Sequence, residues 1–134
     1  MKKFFFLLTI ALLFIGGSFL SAQETPKEGD SIIVLLRTAN AKELARHFNA
    51  SVQLTLPDND GRFNRTQAEL IMRVFFSKYP PQTVTLNHQG ASNDGSLYFI
   101  GDYKSGKTKY RTYFLLKKVG ANLLIHQLRI ELDD

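Results

Sequence analysis

Residues Gly101 to Thr108 read Gly-Asp-Tyr-Lys-Ser-Gly-Lys-Thr, and whether they cradle a phosphate or turn a β-hairpin decides the fold. The octet fits G-x-x-x-x-G-K-[ST], a pattern in which glycines let backbone N–H groups surround phosphates while the Lys-Ser/Thr pair opens a helix. The next residues are Lys109-Tyr110-Arg111-Thr112-Tyr113, a run of aromatic and β-branched side chains that favours a strand. The helix that the motif requires is missing, so the octet reads as a hairpin. With Ser105-Gly106 as a two-residue loop, Lys104 faces Lys107, Asp102 faces Lys109, Gly101 faces Tyr110 and Phe99 faces Thr112. An aromatic ring would then cover a bare glycine at the point where the strand can bend.

Periodicity extends this hairpin in both directions. Thr108 to Lys118 is apolar on both faces at its centre, with Tyr113 and Leu115 on one side and Phe114 and Leu116 on the other, as in a central strand covered on both sides. Past Val119 to Asn122, the last strand puts Leu124, His126, Leu128, Ile130 and Leu132 on one face. Upstream, Ser96 to Tyr103 and Thr83 to His88 are strands joined through Asn93-Asp94-Gly95, which supplies the positive φ of a turn. Pro80-Pro81 stops a long helix that a Thr66/Glu69 capping box opens. That helix carries Leu70, Ile71, Val74, Phe75 and Tyr79 near one side, flanked by Met72 and Phe76, a surface wide enough to require a sheet beneath it. Ser51 to Leu56 alternates as a half-buried strand, and Asp58 to Gly61 reads as a turn. Asn40 with Glu43 caps a short helix, Ala41 to Phe48, and Asp30 or Ser31 caps another that buries Ile32, Ile33, Leu35 and Leu36.

The chain opens with Met1-Lys2-Lys3, an apolar run from Phe4 to Ile15 and a small-residue exit at Ser21-Ala22, the layout of a secretory signal peptide. Cleavage is expected near Ala22, giving an exported protein, periplasmic or extracellular. The apolar run falls short of the roughly 20 residues that span a bilayer, so no stable membrane anchor is expected after signal removal. Residues 23–30 read as a flexible lead-in and 31–134 as one domain. There is no cysteine, hence neither a disulfide nor a lipid-modified cysteine. The formal charge of +5 falls when Lys2 and Lys3 leave with the signal, which is far from a nucleic-acid footprint.

The stretches Asn40 to Leu44, Val52 to Pro57, Gln67 to Phe76, Tyr113 to Lys118 and Ile125 to Glu131 give the order helix, helix, strand, long helix, four-strand meander. In this the chain resembles the nuclear transport factor 2-like superfamily and, more narrowly, a family of small secreted bacterial proteins built on a domain of unknown function. The resemblance implies an α+β cone: three N-terminal helices packed in the concave face of a strongly bent, mostly antiparallel sheet. The superfamily includes isomerases and dehydratases with an Asp or His base inside the cone. Here no carboxylate falls on an apolar strand face, so no acid/base pair carries over and no catalytic residue is assigned.

The expected role is therefore a noncatalytic binding module for a small apolar ligand or an envelope protein. Its pocket between the long helix and the sheet would be lined by Phe75, Tyr79 and His126, the last because it lies between Leu124 and Leu128. The competing enzyme reading takes His126 as the base. A third reading uses the basic hairpin, Lys104, Lys107, Lys109 and Arg111, to meet an anionic partner; against it stands the use of lysines to discourage edge pairing. Asp58, Asp60, Gly61 and Glu69 only faintly resemble a calcium loop, with Arg62 where an oxygen ligand belongs. No cofactor, metal or nucleic-acid partner is expected. The two-sided apolar strand Thr108 to Lys118 motivates a homodimer through the sheet.

Overall fold

The hairpin reading of Gly101 to Thr108 holds. In the computed structural model, which describes residues 27–133, the octet joins the antiparallel strands β4 (Leu97–Ser105) and β5 (Thr108–Val119). The chain order is α1 (Lys27–Arg37), α2 (Ala41–Arg46), β1 (Phe48–Thr55), β2 (Asp60–Asn64), α3 (Arg65–Lys78), β3 (Thr83–Ala91), β4, β5 and β6 (Asn122–Leu132). The six strands form one open sheet in the order β2-β1-β6-β5-β4-β3. Only the β1–β6 contact is parallel, so the architecture is α+β with a curved, mostly antiparallel sheet. The signal peptide read in residues 1–22 lies outside the described residues. No helix among the described residues is long and apolar enough to cross a membrane.

Local chemistry places the helices. Asn40 accepts from the Glu43 N–H at 3.1 Å, and Ala39 just before it takes φ 54°, which breaks α1 from α2 at the expected point. α1 itself begins at Lys27, so Asp30 and Ser31 lie inside it rather than capping it. The box that opens α3 is Asn64/Gln67, with both reciprocal bonds present (2.8 and 3.1 Å), two residues before the expected Thr66/Glu69. The chain between β1 and α3 also forms a strand where only a turn is expected, β2, which pairs Val52 with Phe63 and Gln53 with Arg62.

The core is the inner face of the sheet under the helices. One row of paired residues, Leu54–Leu128–Phe114–Phe99, crosses four strands and is fully buried, with the Phe99 and Phe114 rings stacked at 4.8 Å. α1 adds Ile32, Ile33 and Leu36, and lies so close that a Cβ on Gly29 would collide with the Phe99 ring. The face of α3 is rotated from the expected one: Ala68, Met72, Phe75 and Phe76 are buried, while Leu70 and Val74 are 59% and 56% exposed. Small Ala68 lets the helix approach, and the residues that follow it at helical spacing form the contact.

The hairpin register is displaced from the expected one. Ser105 pairs with Thr108, Lys104 with Lys109, Asp102 with Arg111, and Gly101 with Thr112. The loop is Gly106-Lys107, because Gly106 (φ 59°) takes the positive φ that the first position of a type II′ turn demands. Gly101 is bare for a different reason than an aromatic cover. It faces a bulge in β3 between Leu86 and His88, where a Cβ would run into the Thr85 carbonyl. The aromatic-over-glycine pairing does occur one strand pair away, where the Tyr98 ring lies on Gly90.

Candidate functional site

At the C-terminal end of α3 the aromatic residues pack on one another. Phe75 lies 5.3 Å from both Tyr79 and Tyr103, and Tyr79 lies 5.7 Å from Tyr110. Tyr103 is fully buried, and its hydroxyl donates to the Tyr79 carbonyl at 2.6 Å, a helix-end acceptor that the following Pro80-Pro81 cannot satisfy. Burial raises the Tyr103 phenol well above its ordinary range, so it stays a neutral donor. Tyr103→Phe should cost about 1 kcal/mol in urea unfolding, with the shape of the core unchanged.

Asp58, from the β1–β2 loop, accepts from Lys78 Nζ at 2.9 Å and from the Tyr79 hydroxyl at 3.0 Å. These two bonds hold its carboxyl below the ordinary value of 3.8 and raise the Tyr79 phenol. A depressed carboxylate stabilises the fold above its unfolded pKa, and that stabilisation is lost as pH falls through the folded value. Stability from this carboxylate is thus complete above the ordinary carboxylate range and fades on acidification below it. Asp58→Asn should flatten that acid limb in a pH series of thermal unfolding. Beside Asp58, with Leu56, Asn59, Val74, Phe75 and Lys78, lies a recess of only about 110 Å³.

His126 is not with Phe75 and Tyr79. Along β6 the partners on β5 step from Leu115 to Leu116 while β6 steps from Gln127 to Ile125, so His126 is the extra residue of a bulge. The bulge reverses which side chains face inward: Ile125 joins Leu128 and Ile130 in the core, and His126 turns to the face away from the helices, a re-aiming typical of bulges. Its Nδ1 meets the Leu124 carbonyl at 3.1 Å. A carbonyl can only accept, so Nδ1 carries the proton and Nε2 is left as the free nitrogen.

That outer face is ordered into rows by the strand pairing. One row reads Arg62–Gln53–Gln127–Leu115–Tyr98, the next Asp60–Thr55–Arg129–Tyr113–Ile100, and a third Glu131–Arg111–Asp102. The face is polar over β2, β1 and β6 and half-buried apolar over β5 and β4, where Tyr98, Ile100, Tyr113 and Leu115 sit. On its polar half the long side chains enclose a groove of about 550 Å³, lined by Gln53, Thr55, Asp60, Arg62, Leu115, Lys117, His126, Gln127, Arg129 and Glu131. Sequence alternation identifies half of these, Gln53, Thr55, Gln127, Arg129 and Glu131, as outward-facing, but grouping them depends on the parallel β1–β6 contact and on the bulge.

The basic hairpin occupies the far end of the sheet. Lys104 and Lys109 are directly opposite each other, an arrangement that destabilises a strand pair, while Lys109 and Arg111 reach Asp133 at 3.5 and 3.3 Å. β4 and β5 are interior strands, so their lysines protect no edge. His88 is exposed beside the β3 bulge, and His47 caps the end of α2. Among the described residues no three His, Asp or Glu side chains come together as a metal site; Asp60 bonds to Thr55, and Glu69 to Arg73 at 2.7 Å.

Comparison with known proteins locates this geometry. A family described as "Domain of unknown function (DUF4783)" matches residues 29–131. The crystal structure of a DUF4783 family protein from Bacteroides ovatus is 28% identical, covers 84% of this chain and 98% of its own, and superposes with a TM-score of 0.72. One from Bacteroides uniformis is likewise 28% identical with a TM-score of 0.72, over 78% of this chain and 96% of its own. A designed protein of the NTF2 fold, 14% identical, covers 78% of this chain and 93% of its own with a TM-score of 0.62, a likeness of fold alone. No curated protein matches the chain.

Proposed function

Because the chain belongs to the DUF4783 family and has the NTF2-like fold, we propose that it is an exported, noncatalytic binding module whose working surface is the outer face of the sheet. The observation that carries this reading is the division of space. The interior between α3 and the sheet is filled by Phe75, Tyr79, Tyr103 and Tyr110, with a recess of about 110 Å³ beside it. The outer face offers a groove of about 550 Å³. A small apolar ligand between helix and sheet would have to displace core aromatics. The enzyme reading loses its support in the same way, since His126 faces out and its one bond is to its own strand's carbonyl. Export rests on the N-terminal sequence pattern.

The apolar half of the face, Tyr98, Ile100, Tyr113 and Leu115, is where a second copy would pack, and sedimentation of Leu115→Arg against the parent at micromolar concentration tests it. A dimer that survives the substitution counts against that contact. The second reading, an anionic partner on the basic hairpin, is favoured by the Lys104–Lys109 pair, whose repulsion the fold does not need. A photo-reactive side chain at Gln127, Lys107 or Leu70 in the producing cell separates these. Adducts from position 127 alone support the outer face; adducts from 107 alone support the hairpin. Adducts from none of the three overturn the binding reading.

A further inference from the structure

Resting on the outer-face reading, we infer that the groove takes an extended acidic peptide segment of a partner protein, held by its carboxylates. The deciding feature is which charges are already used. Asp60 accepts from Thr55 Oγ1 at 3.2 Å and from Gln53 Nε2 at 3.4 Å, and Glu131 accepts from Arg129 at 3.1 Å. Glu131 is thus paired from within, whereas both bonds to Asp60 fall on Oδ1 and come from neutral groups. The groove's other two cations are unpaired: among the described residues, neither Arg62 nor Lys117 has a carboxylate within ion-pair distance. Arg62 makes only a long bond of 3.4 Å to the Ser51 hydroxyl. Asp94 feels the Lys117 charge, but from beyond contact.

With Arg129 and Glu131 paired, the two cations Arg62 and Lys117 outweigh the one carboxylate of Asp60, and the groove is net positive. Between the two cations, Gln53 and Gln127 are directly paired neighbours, and side-chain amides can both donate to and accept from a peptide backbone. Leu115 supplies an apolar floor beside them. The lining is drawn from β2, β1, β6 and β5, so a ligand crossing those strands meets about 15 Å of surface at the usual strand spacing, the reach of a short extended segment rather than a single small anion. His126 Nε2, unprotonated when the ring is neutral, would meet an N–H of the ligand; Arg62 and Lys117 meet its carboxylates.

The test is titration of the isotope-labelled protein with a short peptide of alternating Glu and Gly, and with its Gln/Gly counterpart, read as amide shifts. Expected are shifts at Gln53, Leu115, His126 and Gln127 with the acidic peptide only, and about a tenfold or greater loss of affinity in Arg62→Gln/Lys117→Gln. The pair Lys104→Gln/Lys107→Gln should bind as the parent does. Both cations are exposed, so unchanged thermal unfolding of the variants excludes a folding effect. Equal shifts with the Gln/Gly peptide would overturn the acidic preference while leaving the outer-face reading in place. Shifts confined to Lys104 and Lys107 would overturn the inference in favour of the hairpin. No shift with either peptide would also overturn the inference, whereas the outer-face reading itself stands or falls on the cross-linking at Gln127.

Discussion

Phe114→Ala is expected to remove about 3–5 kcal/mol of stability, a large share of the roughly 5–15 kcal/mol that holds a domain of this size together. Phe114 is fully buried at the centre of the inner row, between Leu128 on β6 and Phe99 on β4, and its ring stacks on Phe99 at 4.8 Å. Deleting it removes that stack and leaves a void that neither α1 nor β6 can close. α1 is already held against Phe99 at Gly29, and β6 is fixed by pairing on both sides. Urea unfolding should show a lower midpoint with the same slope. A loss below about 1.5 kcal/mol, the range of a tolerated core swap, would mean the interior is looser than described. The outward neighbour Tyr113, substituted by Ala, should cost far less, because it is only half-buried.

Gly101→Val is the second large effect, with a cost of about 1–3 kcal/mol at the least. The obstacle is the Thr85 carbonyl of the neighbouring strand, and backbone within a paired ladder cannot swing aside as a side chain can. The β3 bulge between Leu86 and His88 would have to open or move. Gly106 makes the control. Its φ of 59° favours glycine, yet nothing stands near the missing Cβ, so Gly106→Ala should cost about 1–2 kcal/mol from conformation alone. If thermal unfolding ranks the two the other way, the reason assigned to Gly101 is wrong.

Much of this fold is legible in the sequence, because period-two alternation survives small errors of register. The hairpin slips by one pair from its expected alignment, so each residue's partner moves by two positions and every side chain keeps its face. That is why Asp102 still meets a basic residue, Arg111 in place of Lys109. The β6 bulge is a different matter. Its single extra residue changes parity, and the even-numbered series from Leu124 to Leu132 hides the point where the pattern breaks. Alternation alone therefore turns His126 inward, and the one signal against it is apolar Ile125 beside it, which takes the core position. The rotation of α3 is hidden for another reason. Leu70 and Val74 are apolar enough to suggest a buried stripe, but α3 packs on α2 and β1 and it is Ala68 and Met72 that are fully buried. The strand β2 owes its existence to pairing with β1; of its residues, Asp60-Gly61-Arg62-Phe63-Asn64, only Phe63 has a strand-forming side chain.

The outer groove could not be read from the chain as a site, although half of its residues, Gln53, Thr55, Gln127, Arg129 and Glu131, could be assigned to polar strand faces. It joins β2 and β1 to β6 through a parallel contact between segments near opposite ends of the domain, and strand order is not written in periodicity. Among the described residues, Arg62 and Lys117 come onto one surface without a carboxylate partner only through that order and through the pairing of Glu131 with Arg129.

The space between the helices and the sheet is filled by core side chains, and the proposed binding surface lies outside it. Titration with an anilinonaphthalene dye, followed by the resonances of Met72, Phe75, Tyr79 and Phe114, tests this division most directly. The expected result is no one-to-one complex and no movement of those resonances in the native protein. A saturable one-to-one complex that shifts Phe75 and Tyr79 while the fold stays intact would place a ligand pocket between α3 and the sheet and contradict it.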